Sequence, residues 1–210
     1  MITNVYIDGF NLYYGCLKRT PYKWLNLRAL CQVLLPRDAV GTIRYFTARI
    51  NARPNDPDGP VRQDAYLRAL RTLPEVSTHL GLFKTRAVRM PLAQPQPGGP
   101  VTVEVMKTEE KGSDVNLATY LLLDAFREDC DVSVVVSNDS DLVEPIRIVR
   151  HELGRPVGII NPHQAHKRSR ELLVIGPTFY KQIRPAGLRR AQFAQVLTDA
   201  QGTIHRPSSW

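Results

Sequence analysis

Cysteine is scarce in this chain of 210 residues: Cys16, Cys31 and Cys130 are scattered, odd in number and without a Cys-x-x-Cys pair. That spacing excludes a disulfide framework and a cysteine-based zinc site, and leaves three reduced thiols. His163 and His166 can meet on one helix face, but no cysteine or third histidine nearby completes a zinc set. No apolar run approaches the ~20 residues that span a bilayer, and Met1-Ile2-Thr3-Asn4 has no basic segment ahead of an apolar core. We therefore expect a cytoplasmic protein with no membrane partner. Negative charge is also in deficit: 28 Lys and Arg against 20 Asp and Glu give a net charge of +8. A surface of that sign attracts polyanions.

What is present is enough apolar sequence, 43% of residues, to bury a full core in one domain. Ile2 to Ile7 reads as a buried strand ending on Asp8, and Leu27, Leu30, Cys31 and Leu34 fall at helical spacing behind a plausible cap, Asn26. Gly41 to Ile50 alternates as a strand, residues 51–60 are dense in turn formers, and a helix runs from about Val61 to Leu73. Val76 to Val88 is strand material. The Pro/Gly/Gln-rich stretch from Met90 to Pro100 then breaks it as a hairpin tip or flap, and Val101 to Val105 alternates as a half-exposed strand near the sheet edge.

Ser113 to Phe126 has a clear helical stripe through Leu117, Ala118, Leu121, Leu122, Ala125 and Phe126, capped by Ser113 or Asp114. The buried run Val132 to Val136 is followed by a second stripe, Leu142, Ile146, Val149 and Leu153, and by a strand over Val157 to Ile160. Glu171 to Ile175 is expected as the last strand. Strands alternating with helices predict a three-layer α/β/α fold with a central, mainly parallel sheet. We expect one domain over residues 1–184 and a C-terminal tail over 185–210 that packs on the domain or on a partner. The Trp210-ended tail and the Val101 to Val105 strand are contact elements for a homo-oligomer.

Acidic residues stand at the ends of the apolar runs. Asp8 closes the first strand, Asp114 opens a helix, and Asp139 and Asp141 follow Val132 to Val136. The carboxyl ends of parallel strands are where open α/β folds gather ligand-binding groups. Ser137-Asn138-Asp139-Ser140-Asp141 supplies hard oxygen donors suited to Mg²⁺ or Mn²⁺, and Asn11 can lean back toward the pocket of Asp8. Each residue is also explicable alone as a cap or turn former. A basic surface around an acidic hole suits an enzyme that takes a polyanion and a divalent cation together. Lys107 and Lys111 can offset the pocket charge or contact a phosphate. The runs Lys167, Arg168, Arg170 and Lys181, Arg184, Arg189, Arg190 can track a phosphate backbone, and Tyr13 and Tyr14 can stack on unpaired bases.

In this order, Tyr6-Ile7-Asp8-Gly9-Phe10-Asn11-Leu12, Lys111-Gly112-Ser113-Asp114-Val115-Asn116-Leu117-Ala118 and Val135-Val136-Ser137-Asn138-Asp139-Ser140-Asp141-Leu142 resemble the three motifs of the NYN family within the PIN-like nuclease superfamily. The resemblance spans roughly residues 2–160. It implies a Rossmann-like (PIN-like) domain whose acidic pocket binds Mg²⁺ or Mn²⁺ and hydrolyses RNA phosphodiesters as an endonuclease, with RNA, or else single-stranded DNA, as its partner. Asp8, Asp114, Asp139 and Asp141 carry over as catalytic metal-binding carboxylates, with Asn11, Ser137 and Asn138 as supporting polar groups. The chain departs from several members at Tyr120, where they place a further Asp; Glu109 or Glu110 can supply that charge. The alternative is an RNA-binding regulatory module of the same fold with weak or no turnover. A phosphotransfer enzyme is disfavoured because no second Asp lies two residues after Asp8.

Overall fold

A computed structural model describes residues 1–210. The chain runs β1 (Ile2–Asp8), α1 (Gly9–Leu12, continued as one wide turn to Leu17), α2 (Leu27–Leu34), β2 (Ala39–Ala48) and α3 (Gly59–Leu70). It continues through β3 (Val76–Pro91), β4 (Thr102–Lys111), α4 (Ser113–Phe126), β5 (Val132–Val136), α5 (Val143–Arg147) and β6 (Val157–Asn161). The last elements are α6 (Arg170–Val174), β7 (Phe179–Gln182), α7 (Pro185–Arg190), β8 (Val196–Asp199) and β9 (Gly202–His205). No helix is long and apolar enough to cross a membrane.

Seven strands form one sheet in the order β4-β3-β2-β1-β5-β6-β7, and every neighbouring pair is parallel except β3 with β4. The side-chain alternation of a strand sends Val5 and Ile7 of β1 into one apolar layer and Tyr6 into the other. The first layer packs under α2, α3 and α7 around Trp24, Leu30 and Leu70. The second packs under α4, α5 and α6 around Phe46, Leu121 and Ile146. This is the three-layer α/β/α architecture with a mainly parallel sheet that the sequence predicts. Its topology has one decisive feature: the chain builds outward from β1 through β2 to β3 and β4, then returns to β1's other edge with β5. A crevice opens at that reversal, beyond the carboxyl ends of β1 and β5.

Three local expectations are corrected. Glu171 to Ile175 is not the last strand; it belongs to helix α6, because Ser169 caps it by accepting the Leu172 N–H at 3.2 Å, and the last strand of the large sheet is β7. Five apolar-rich residues fit either structure, and the cap decides. In α4, Phe126 lies outside the buried stripe at 76% exposure, whereas Asp124 lies within it. Asp124 is tolerated because Arg44 donates to both its oxygens at 2.7 and 3.0 Å and the Tyr6 hydroxyl donates at 2.8 Å. The cap of α4 is neither Ser113 nor Asp114. Gly112 holds that place in the left-handed region at φ 100°, and Glu110 reaches over to accept the Ser113 N–H at 3.2 Å and its hydroxyl at 2.7 Å.

Residues 185–210 fold back on the α2 and α3 layer. Leu188, Phe193 and Ile204 are buried there, and the Trp210 ring lies 6.3 Å from Trp24 and 5.9 Å from Tyr66, centroid to centroid.

Candidate metal centre

Asp8 ends β1 in extended backbone and caps α1, so its carboxylate points along the sheet toward the crevice. Its Oδ1 accepts the Asn11 N–H at 2.9 Å and its Oδ2 accepts the Ser137 hydroxyl at 2.9 Å. Ser137 is the first residue after β5, so this bond ties the two central strands together at their carboxyl ends. Its Oγ also accepts the Asp139 N–H at 3.1 Å, which folds the loop over and turns Asp139 toward Asp8. Asp139 Oδ1 in turn accepts the Asp141 N–H at 3.0 Å. Asp114 arrives from a third direction, in the first turn of α4, where the helix dipole favours a carboxylate. One carboxylate oxygen each from Asp8, Asp114 and Asp139 lies within 4.8 Å of the other two. They line a cavity of about 260 Å³ together with Asn11, Glu110 and Arg53.

Three carboxylates so close repel one another when ionised. Burial, and then the charges of Asp8, Asp139, Glu110 and Asp141, push Asp114 up to about 6. Burial also raises Asp8, against the lowering effect of the hydrogen bonds from Asn11 and Ser137, with Asp139 raising it further. A compact acidic set in which Asp8 and Asp114 resist ionisation is short of positive charge.

The remaining sequence-derived residues divide by position. Asp141 is exposed on the rim, outside the three-carboxylate group, though its charge reaches Asp114. Asn11 lines the cavity, but its Oδ1 accepts the Asn138 N–H at 3.1 Å and contacts His163 Nε2 at 3.0 Å, so it fixes the loops around the site. Asn138 faces away: its amide donates to the Lys167 carbonyl at 2.8 Å and accepts the Ser169 N–H at 2.7 Å. That clasp holds exposed Lys167, Arg168 and Arg170 beside the loop carrying Asp139. Glu110 lines the cavity and Glu109 does not, because successive strand residues face opposite ways; Glu109 pairs with Lys107 at 2.6 Å and with Lys111 at 3.6 Å. Lys111 is exposed at the end of β4. Lys181 donates to the Leu34 carbonyl at 2.7 Å and is turned toward α2, away from any phosphate track. His163 precedes the short turn that carries His166, so the two share no helix face.

Tyr120 is not among the residues lining the acidic cavity. It packs 4.2 Å from His79, centroid to centroid, beneath the Arg44 guanidinium at 4.6 Å. Six residues on from Asp114 is about 240° around the helix, which faces this cluster rather than the site. Sequence reasoning missed Arg53, the one cation lining the acidic cavity, because it sits in a loop whose turn formers carry the whole signal. It weighed His163 only as a zinc ligand beside His166 and missed its contact with Asn11, which joins residues 152 apart in sequence.

Tyr13 lines a second cavity, of about 180 Å³, which shares Phe10, Tyr14 and Arg53 with the acidic one.

Comparison with known proteins agrees with this architecture. The model of the NYN domain matches residues 2–181. The chain is 31% identical over 234 residues to 6-hydroxy-3-succinoylpyridine 3-monooxygenase HspA of Pseudomonas putida (strain DSM 28022 / S16), covering 99% of this chain and 75% of that protein. Its fold is also similar to the crystal structure of a protein of unknown function from Vibrio parahaemolyticus RIMD 2210633, with a TM-score of 0.57 and 16% identity over 88% of this chain and 93% of that one. A parallel sheet with its acidic cluster at the reversal of strand order, and a family match spanning nearly all of it, have one conclusion: the chain belongs to the NYN domain family.

Proposed function

We propose that the protein is a metal-dependent ribonuclease that hydrolyses RNA phosphodiester bonds at the acidic cavity. The observation that carries this reading is the meeting of Asp8, Asp114 and Asp139 within 4.8 Å at the crevice of a nuclease-type fold. The donors fit a hard divalent cation such as Mg²⁺ or Mn²⁺: they are carboxylate oxygens from three different elements, and burial together with the neighbouring carboxylates raises Asp114 to about 6. When bound, such a cation acts as a Lewis acid toward phosphate and lowers the pKa of water, which are the two needs of phosphodiester hydrolysis.

Asp8, Asp114 and Asp139 would hold the cation, and Asp141 on the rim would orient a water through its carboxylate. The Ser137 hydroxyl and the Asn11 backbone N–H keep Asp8 in one orientation by donating to both its oxygens. Glu110 fixes the first turn of α4 and so the position of Asp114. Arg53 brings a guanidinium into the cavity that can pair with a phosphate in two-pronged fashion. Lys167, Arg168 and Arg170, held by Asn138, would attract the strand on either side of the cut.

The test is cleavage of single-stranded RNA by purified protein with Mn²⁺ or Mg²⁺. We expect EDTA to stop it and Asp139→Asn to lower the rate by at least about 100-fold with an unchanged circular dichroism spectrum. Undiminished cleavage by Asp139→Asn would sink the assignment, and RNA binding with no cleavage by the wild type would favour the regulatory module. The name of the Pseudomonas relative gives a second reading, oxygenation of a substituted pyridine. The observation that favours it is the aromatic cavity adjoining the acidic one. Oxygen uptake on adding 6-hydroxy-3-succinoylpyridine and a reductant would support it.

A further inference from the structure

The second cavity is walled very differently from the acidic one. Tyr13, Tyr14, Tyr45, Tyr66 and Trp210 surround it, with Phe10 at the side shared with the acidic cavity. Lys18, Lys23, Arg53 and Arg62 also line it, and no carboxylate does. The walls are not merely a gap in the core. Tyr13 and Tyr14 pack edge to face at 5.3 Å, Trp210 closes on Tyr66 at 5.9 Å, and the Tyr66 hydroxyl is anchored on the Leu25 carbonyl at 2.9 Å. Tyr14 nevertheless keeps half its surface, 51%, open to solvent, with the Lys18 ammonium 4.7 Å from its ring centroid.

Aromatic faces with cations and without acids select a planar ring that carries negative charge nearby. The cavity also shares Phe10, Tyr14 and Arg53 with the acidic cavity, so one ligand can occupy both, its ring in the first and its phosphate in the second. A nucleotide has that layout. A base can enter such a cavity only when it is unpaired and unstacked, because in a duplex both faces and the pairing edge are already covered.

We propose that this aromatic cavity is a base pocket that takes one unpaired nucleobase of the strand whose phosphate lies at Asp8, Asp114 and Asp139, and so makes the protein selective for single-stranded nucleic acid. The proposal rests on the ribonuclease reading for the identity of the polymer. Its test reads binding and not cleavage, so the two can fail separately.

Tryptophan fluorescence and calorimetry, both with Ca²⁺ to offset the carboxylates, would follow the binding of a short single-stranded RNA, the same RNA with one abasic position at each site in turn, the corresponding duplex and a nucleoside 5′-monophosphate. We expect quenching by the single strand and the mononucleotide, affinity for the single strand weakened about tenfold by Tyr14→Ala, and weaker binding of one abasic strand and of the duplex. Asp139→Asn should keep the base-dependent binding even if it abolishes cleavage. Equal affinity for intact and abasic strands, or for single strand and duplex, overturns the proposal. So does a small aromatic carboxylate such as 4-hydroxybenzoate that binds with one-to-one stoichiometry when the mononucleotide does not. Should Tyr14→Ala misfold, the abasic series on the wild type still decides.

Discussion

Asp114 is the residue whose environment says most about the centre. Its carboxyl titrates at about 6 rather than at 3.8, so the folded state holds a proton that the unfolded state releases. Protonated Asp114 therefore favours folding: that contribution is complete below about pH 3.8 and is lost as pH rises through about 6. In the cation-free protein, Asp114→Asn should raise the melting temperature above about pH 7 by about 2–4 °C, and the gap should close below about pH 4. Adding Mn²⁺ should reverse the order, stabilising the wild type more than the variant. Identical melting of the two proteins in EDTA at neutral pH would mean that neither burial nor the neighbouring carboxylates penalise the Asp114 charge. Asp8 and Asp139 were legible because they follow apolar strands, and those strands end at the crevice. Asp124 lies three residues beyond Leu121 on the buried stripe, so its burial was in the spacing, but its partner Arg44 is on another element and nothing local announces it.

At the level of elements, the centre depends on how closely β3 passes the joint between β4 and α4. Gly81 of β3 has no room for a side chain there: a Cβ would sit 2.7 Å from the Lys111 carbonyl oxygen and 3.0 Å from the Ser113 nitrogen, and would also strike Glu110. Gly81→Ala should therefore displace the first turn of α4, cost about 1–3 kcal/mol in urea unfolding and weaken Mn²⁺ binding at the same time. A variant that loses stability but binds Mn²⁺ as well as the wild type would show that Asp114 is positioned by α4 alone. Long, regular elements such as β1, α4 and β5 were readable from periodicity. The short ones were not: Glu171 to Ile175 is as apolar as a strand, and only the Ser169 cap makes it α6. The cap of α4 was misplaced because it requires a left-handed glycine at 112 and a side chain, Glu110, that arrives from the preceding strand.

For the whole molecule, the excess of eight positive charges is the property that reaches furthest from the surface. Single-stranded RNA affinity should fall with a log–log salt slope of about −3 if some four basic side chains meet phosphates, and Lys167→Ala/Arg168→Ala/Arg170→Ala should flatten it to about −1. An unchanged slope in the triple variant would move the phosphate track elsewhere. The sequence announced alternating strands and helices but not the order of the sheet, because strand neighbours are set by long-range packing. That order has a consequence for the timing of the protein's birth. β5 completes β1's second edge and brings in Ser137 and Asp139, yet it is made more than a hundred residues after β1. A ribosome-bound chain that has not reached Val132 therefore holds Asp8 and Asp114 but no third carboxylate, and its central strand presents an unpaired edge on which another chain can nucleate. The three-carboxylate centre can assemble only when that edge closes.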